Sequence, residues 1–192
     1  MIGRHATGKL LAVNGGRVML VLVVGPSGAG KDTVLGLARQ ALAGDTRFRF
    51  VRRVITRPAD AGGEDHEAVS EAEFAQRRFA LAWSAHGLRY GIPLDVVDDL
   101  ARGSVVVANV SRGVIAEAAA AYPVRVIVVT ASVEILARRL AARGRETIED
   151  IARRLARDVA IPDGVAVDTV VNDGTPEEAA DRFVTMLALC VG

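Results

Sequence analysis

The sequence predicts a three-layer α/β fold in which helices cover both faces of a mainly parallel sheet. Short runs rich in Val and Ile recur between longer amphipathic stretches, and strands alternating with helices build parallel sheets. The runs are continuously apolar rather than alternating, as strands buried on both faces require. The first run also ends in a glycine-rich loop that leads straight into a helical pattern.

Residues 1–16 hold Gly3, Gly8, Gly15 and Gly16 without a hydrophobic period. They read as a loose N-terminal extension, which leaves 17–192 as a single domain. The first strand is 18–24 and the first helix 32–43, followed by a strand at 49–55. Helical patterns span 70–78 and 93–101, then come a strand at 104–110, a helix at 114–121 and a strand at 124–130. Helices at 132–143 and 147–158, a strand at 168–171 and a helix at 176–189 complete the order. Several helices announce their starts. Ser70 precedes Glu71 and Glu73, and Ser132 precedes Glu134, which suits an N-terminus. Thr175-Pro176-Glu177-Glu178 combines a cap, a first-turn proline and two acids facing the positive end of the helix dipole.

Composition narrows the function classes. A chain of 192 residues that is 51% hydrophobic has material for one compact core. Its 24 basic and 23 acidic residues leave a formal net charge of +1, which gives no electrostatic case for nucleic acid or an anionic membrane. The apolar run at 18–24 is far shorter than the ~20 residues of a spanning helix. A loop rather than a small-residue cleavage site follows it, so a cytoplasmic protein is expected. Cys190 is the one cysteine, which excludes an intrachain disulfide and suits a buried thiol. A homo-oligomer is compatible with all of this.

The loop itself carries chemistry. Gly25-Pro26-Ser27-Gly28-Ala29-Gly30-Lys31-Asp32-Thr33 stands between a buried strand and a helix, the context of a phosphate-binding P-loop. Gly25, Gly28 and Gly30 admit backbone conformations that a Cβ opposes. Successive N–H groups then form an anion-binding nest at the helix N-terminus, and Lys31 is placed to bridge the β and γ phosphates of a nucleotide. Lys31 and Lys9 are the only lysines among 24 basic residues, so a lysine kept at 31 points to a chemical need. Asp32 stands where the motif usually has Ser or Thr, and Thr33 follows. Either residue can supply an oxygen toward Mg²⁺, directly or through water. A P-loop NTPase fold using ATP as co-substrate with Mg²⁺ is expected.

From Arg17 to Leu189 the chain resembles the guanylate kinase family, and more closely its ribose 1,5-bisphosphate phosphokinase branch. The likeness rests on the loop at 25–33 and on Arg52-Arg53-Val54-Ile55-Thr56-Arg57-Pro58. It continues through Glu64-Asp65-His66-Glu67-Ala68-Val69-Ser70, the stretch Trp83 to Pro93, Ala108-Asn109-Val110-Ser111-Arg112, and the arginine-rich segment 138–157. The resemblance implies a kinase with an acceptor-binding insert and an Arg-rich lid. It would act on a small phosphorylated sugar, converting ribose 1,5-bisphosphate and ATP into 5-phosphoribosyl 1-diphosphate and ADP in phosphonate breakdown. It implies that Arg53, Arg57, His66 and Tyr90 bind the acceptor, and that Arg139, Arg143 and Arg154 act with Lys31 on the transferring phosphoryl group. The acids that read guanine in guanylate kinases are absent, with Ser84 at one position and Asn109-Val110 near the other. A site without those partners loses its means of selecting GMP. Two readings compete: another small-acceptor kinase of this fold, such as a nucleoside monophosphate kinase, and a guanylate-kinase-like interaction module without catalysis. For Arg53 the plainer reading is a solvated strand edge, for the lid arginines ion pairs with Glu134, Glu146 and Glu149 on solvated helix faces, and for His66 a solvated loop position.

Overall fold

A computed structural model describes residues 19–59, 64–141 and 161–191. The strands are β1 (Met19–Val24), β2 (Phe48–Phe50), β3 (Arg53–Ile55), β4 (His66–Ala68), β5 (Phe79–Ala85), β6 (Leu88–Pro93), β7 (Val105–Asn109), β8 (Val124–Thr130) and β9 (Ala166–Val171). The α-helices are α1 (Lys31–Ala41), α2 (Glu71–Gln76), α3 (Val96–Ala101), α4 (Ile115–Ala121), α5 (Val133–Ala141) and α6 (Pro176–Ala188), with a 3₁₀ turn at Arg112–Val114. The sequence-predicted extension 1–16, the helix at 147–158, Arg143 and Arg154 lie outside the described residues.

The main sheet has five strands in the order β2-β7-β1-β8-β9, every pair parallel. β1 is central, and its side chains alternate between two cores as strand geometry dictates. Leu20, Leu22 and Val24 pack with Val96 and Leu100 of α3 and with Ile115 and Ala118 of α4. Val21 and Val23 face the opposite way, against Val34 and Ala38 of α1, Leu136 of α5, and Ala179, Phe183 and Leu187 of α6. Burial on both faces explains why the strand reads as an unbroken apolar run. Each such large side chain contributes roughly 1.5–3 kcal/mol on leaving water. The mainly parallel α/β architecture is as the sequence predicts.

The second sheet, β4-β3-β6-β5, departs from the expectation. The run at 49–55 reads as one strand but serves two sheets. β2 pairs with β7, and the Val51 N–H makes the last link to that sheet at the Val107 carbonyl, 2.9 Å away. Arg52 then turns outward, donating to Asp65 at 2.8 Å and to the His66 carbonyl at 2.9 Å. β3 goes on to pair with β4 and β6. An apolar run records burial, not the identity of the partner strand. The antiparallel pair β5–β6 and the short β4 are not among the sequence-predicted strands. Their connection is the two-residue loop His86-Gly87, with φ of 53° and 74°. Positive φ at both central residues is the type I′ signature of a tight hairpin.

Candidate functional site

The phosphate loop joins β1 to α1 and is shaped from beneath. A Cβ on Gly25 would lie 1.9 Å from the Val129 carbonyl oxygen of β8, so only glycine fits where the loop leaves the sheet. Gly30 caps α1 at φ 83°, and a Cβ there would meet the Asn172 amide nitrogen at 2.5 Å. Asn172, 2% exposed at the end of β9, donates to the Ala29 carbonyl at 2.8 Å. Arg139 of α5 donates to the carbonyls of Gly28 (3.4 Å) and Asn172 (3.1 Å). Side chains from β9 and α5 thus brace the loop. The N-terminus of α1 has no side-chain cap, which leaves its first-turn N–H groups suited to a phosphate.

Lys31 donates to the Gly25 and Pro26 carbonyls at 2.8 and 3.0 Å. Burial is the main force holding its pKa down to about 8 from an ordinary 10.5; the Asp32 carboxylate opposes this, and Arg53 and Arg112 reinforce it. Desolvation, more than the charges around it, therefore sets the ionisation of this lysine. The Asn109 amide, at the end of β7, donates to one Asp32 oxygen at 3.0 Å. Asp32 and Thr33 both line the cavity above the loop.

That cavity has a volume of about 950 Å³, enough for substrate-sized ligands. Its floor is the loop, with Thr130, Ala131, Val133 and Leu136 beside it; its far wall comes from the second sheet and from the turn after β7. The far wall presents Arg53, Arg57, Glu64, Trp83, Ala85, His86, Tyr90 and Arg112. Trp83 and Tyr90 stack across the β5–β6 hairpin with ring centroids 5.4 Å apart. The Arg53 guanidinium lies over both rings, 5.2 Å from Tyr90 and 5.9 Å from Trp83. Arg53 also forks onto Glu64, Nε to Oε2 at 2.9 Å and Nη2 to Oε1. Arg57 reaches the Nδ1 of His66 at 3.2 Å, while its Nε is buried without a hydrogen-bond partner. His66 itself is 5% exposed, with Nδ1 2.9 Å from the Glu64 carbonyl and Nε2 3.1 Å from the Arg57 carbonyl.

A family model described as an AAA domain matches residues 21–160. A protein of Brucella melitensis named ribose 1,5-bisphosphate phosphokinase PhnN is 54% identical over 170 residues, covering 85% of this chain and 88% of that protein. One of the same name from Acidiphilium cryptum is 55% identical over 171 residues, with coverages of 89% and 93%. The chain belongs to the ribose 1,5-bisphosphate phosphokinase family. Guanylate kinase of Anaplasma phagocytophilum shares the fold, with a TM-score of 0.63 and 20% identity over 91% of this chain and 86% of that one.

In this member of the ribose 1,5-bisphosphate phosphokinase family, the cavity gathers most residues that the sequence singles out. Gly25, Pro26, Ser27, Gly28, Gly30, Lys31, Asp32 and Thr33 line it, as do Arg53, Arg57 and Tyr90. Ala29 is fully buried and stands behind the loop. His66 is also not on the wall; it sits behind Arg57, bonded at both ring nitrogens. Arg139 holds the loop from behind through two carbonyls rather than lining the cavity. Ser84 is exposed, and the walls beside it are Trp83 and Ala85. Sequence reasoning missed Glu64, Arg112 and Asn172 as site residues. Glu64 and Arg112 fall inside motifs that carry the family resemblance. Asn172 shows only as a polar residue directly after a buried strand. No helix among the described residues is long and apolar enough to cross a membrane.

Proposed function

We propose that this protein transfers the γ-phosphoryl group of ATP to the 1-phosphate of ribose 1,5-bisphosphate, giving 5-phosphoribosyl 1-diphosphate and ADP. The role fits phosphonate breakdown in the cytoplasm. The observation that carries the reading is one cavity with a phosphate loop and Lys31 at one end and Arg53, Arg57 and Arg112 at the other. Relatives about half identical along most of their length bear the name of that activity.

The chemistry needs little beyond placement. A phosphate monoester has its second pKa near ~6, so the attacking 1-phosphate oxygen is already anionic at neutral pH and no general base is required. That oxygen forms a bond to the γ phosphorus as the bond to the β–γ bridging oxygen breaks, and ADP leaves with the electron pair. Catalysis is then alignment and charge stabilisation. Lys31 supplies positive charge at the transferring group, and the N–H groups of the loop orient the polyphosphate. Arg57, whose side chain lines the cavity, grips an acceptor phosphate through its guanidinium, and His66 orients Arg57 from behind. Tyr90, under Arg53, completes the acceptor wall.

The donor set also fits Mg²⁺, a hard ion that takes oxygen ligands and keeps several waters. Asp32 would hold it, with Thr33 beside it, because the Asn109 amide fixes one Asp32 oxygen and leaves the other. The ion would supply charge neutralisation on the phosphates. Arg139 keeps the loop in shape for that charge, and Arg143 and Arg154 are proposed to close over it as lid arginines.

The test is ADP release at fixed ATP and Mg²⁺ with ribose 1,5-bisphosphate or GMP as acceptor. The bisphosphate is expected to give the higher kcat/KM. A preference for GMP would return the protein to the nucleotide kinases.

A further inference from the structure

Among the described residues, the cavity holds two acids, Asp32 and Glu64. Asp32 belongs to the phosphate-loop end, with one oxygen taken by Asn109. Glu64 stands among the arginines of the far wall, where a bare carboxylate would repel a doubly phosphorylated acceptor. Its charge is met by Arg53, whose Nε–H and Nη2–H both go to it. The two side chains are only 16% and 12% exposed. Arg53 is in turn held flat over Tyr90 and Trp83, so the carboxylate is fixed from two directions.

This pairing divides the work of the wall. Arg53 spends its fork on Glu64, and that fork is what grips a phosphate bidentately. Phosphate binding therefore falls to the other arginines that line the wall, Arg57 and Arg112. A carboxylate is an acceptor with about four lone-pair positions, of which Arg53 uses one on each oxygen. The remaining positions take a ligand group that donates, and an ionised phosphate donates nothing. Sugar hydroxyls do. Position decides which donor: Glu64 lines the same cavity as Arg57, and its backbone carbonyl lies 2.9 Å from the ring of His66, which Arg57 contacts. The carboxylate thus faces the same cavity as the phosphate grip, on the wall that the pentose of a gripped sugar phosphate would meet.

We infer that Glu64, locked by Arg53 against the Trp83–Tyr90 stack, is the specificity-determining residue that accepts hydrogen bonds from the vicinal 2- and 3-hydroxyls of a ribofuranose phosphate. The site therefore selects ribose over 2-deoxyribose acceptors. The inference rests on the acceptor reading proposed above, and its test separates the two.

The experiment measures kcat/KM for ribose 1,5-bisphosphate and 2-deoxyribose 1,5-bisphosphate in the wild type and in Glu64→Gln, with ATP varied separately. Sites built to bond a hydroxyl reject its absence strongly, so the wild type is expected to prefer the ribose compound by roughly 100-fold or more. Glu64→Gln should lose activity mainly on the ribose compound, bringing the ratio down at least tenfold, with KM for ATP unchanged. Equal use of both acceptors by the wild type overturns the inference, and this arm needs no variant. An equal loss on both acceptors in Glu64→Gln also overturns it, because Glu64 would then act only by holding Arg53. Absence of turnover with either bisphosphate, while GMP is phosphorylated, overturns the acceptor reading and this inference with it.

Discussion

Lys31 shows how one residue ties burial to activity. Its ammonium is held near two loop carbonyls, and burial lowers its pKa to about 8. Below that pH it carries the charge that, in the function proposed above, meets the polyphosphate; above it the charge is lost. We predict that kcat/KM for ATP falls as pH rises through about 8, and that Lys31→Arg, which keeps its charge throughout, shifts the falling limb upward even if its rate is lower. Stability should move the other way. The folded pKa is depressed, so between about 8 and 10.5 the unfolded chain binds more protons. The contribution of this group to stability therefore rises with pH across that window. Activity profiles and urea midpoints at matched pH check both signs. Arg57 makes the second case at this scale, because it lines the cavity on the wall proposed for the acceptor. Arg57→Ala should weaken acceptor use by on the order of 2–4 kcal/mol, roughly 30- to 1,000-fold in kcat/KM, with KM for ATP little changed. An unaltered acceptor KM would refute the phosphate grip assigned to it.

At the scale of elements, the best-read helix is α6. Thr175 accepts from the Glu178 N–H at 3.2 Å, and the Glu178 carboxylate accepts from the Thr175 N–H at 3.2 Å. The sequence reads Thr175 as the cap, Pro176 as a first-turn proline and the two acids as facing the dipole; the return bond from Glu178 that completes a capping box is seen only in the structure. The helix lays Ala179, Phe183 and Leu187 against α1 and the main sheet and contributes no wall to the cavity. Thr175→Ala is therefore expected to lower stability by about 1 kcal/mol while leaving kcat within twofold, as urea unfolding and steady-state rates would show. The β5–β6 hairpin is the opposite case. Its turn is His86-Gly87 rather than Asn-Gly, and Phe79–Ala85 mixes half-buried and exposed positions because one strand packs on the core and frames the cavity at once. A strand with two such duties has no clean period to read.

Across the whole molecule, the site exists because two sheets meet around the loop. One face of the main sheet is closed by α1, α5 and α6, and the other by α3, α4 and part of the β5–β6 hairpin. The second sheet then stands across the cavity from the phosphate loop. The sequence by itself determined the parallel α/β order and the loop at 25–33 with Lys31 in it. Those features are local in the chain: a buried strand, a fixed glycine spacing and a helix start each leave a pattern within a few residues. Through family likeness it also pointed to Arg53, Arg57 and Tyr90 as candidates for the acceptor, and all three line the cavity. Only the tertiary structure decided that 49–55 divides between two sheets, that His66 backs Arg57 instead of facing the cavity, and that Arg139 and Asn172 brace the loop. It alone brought Glu64 into the fork of Arg53, eleven residues away along the chain. The physical reason is that hydrogen bonds, ion pairs and stacking depend on distance in space. An arginine written in a sequence does not show which carboxylate, ring or phosphate will occupy its fork.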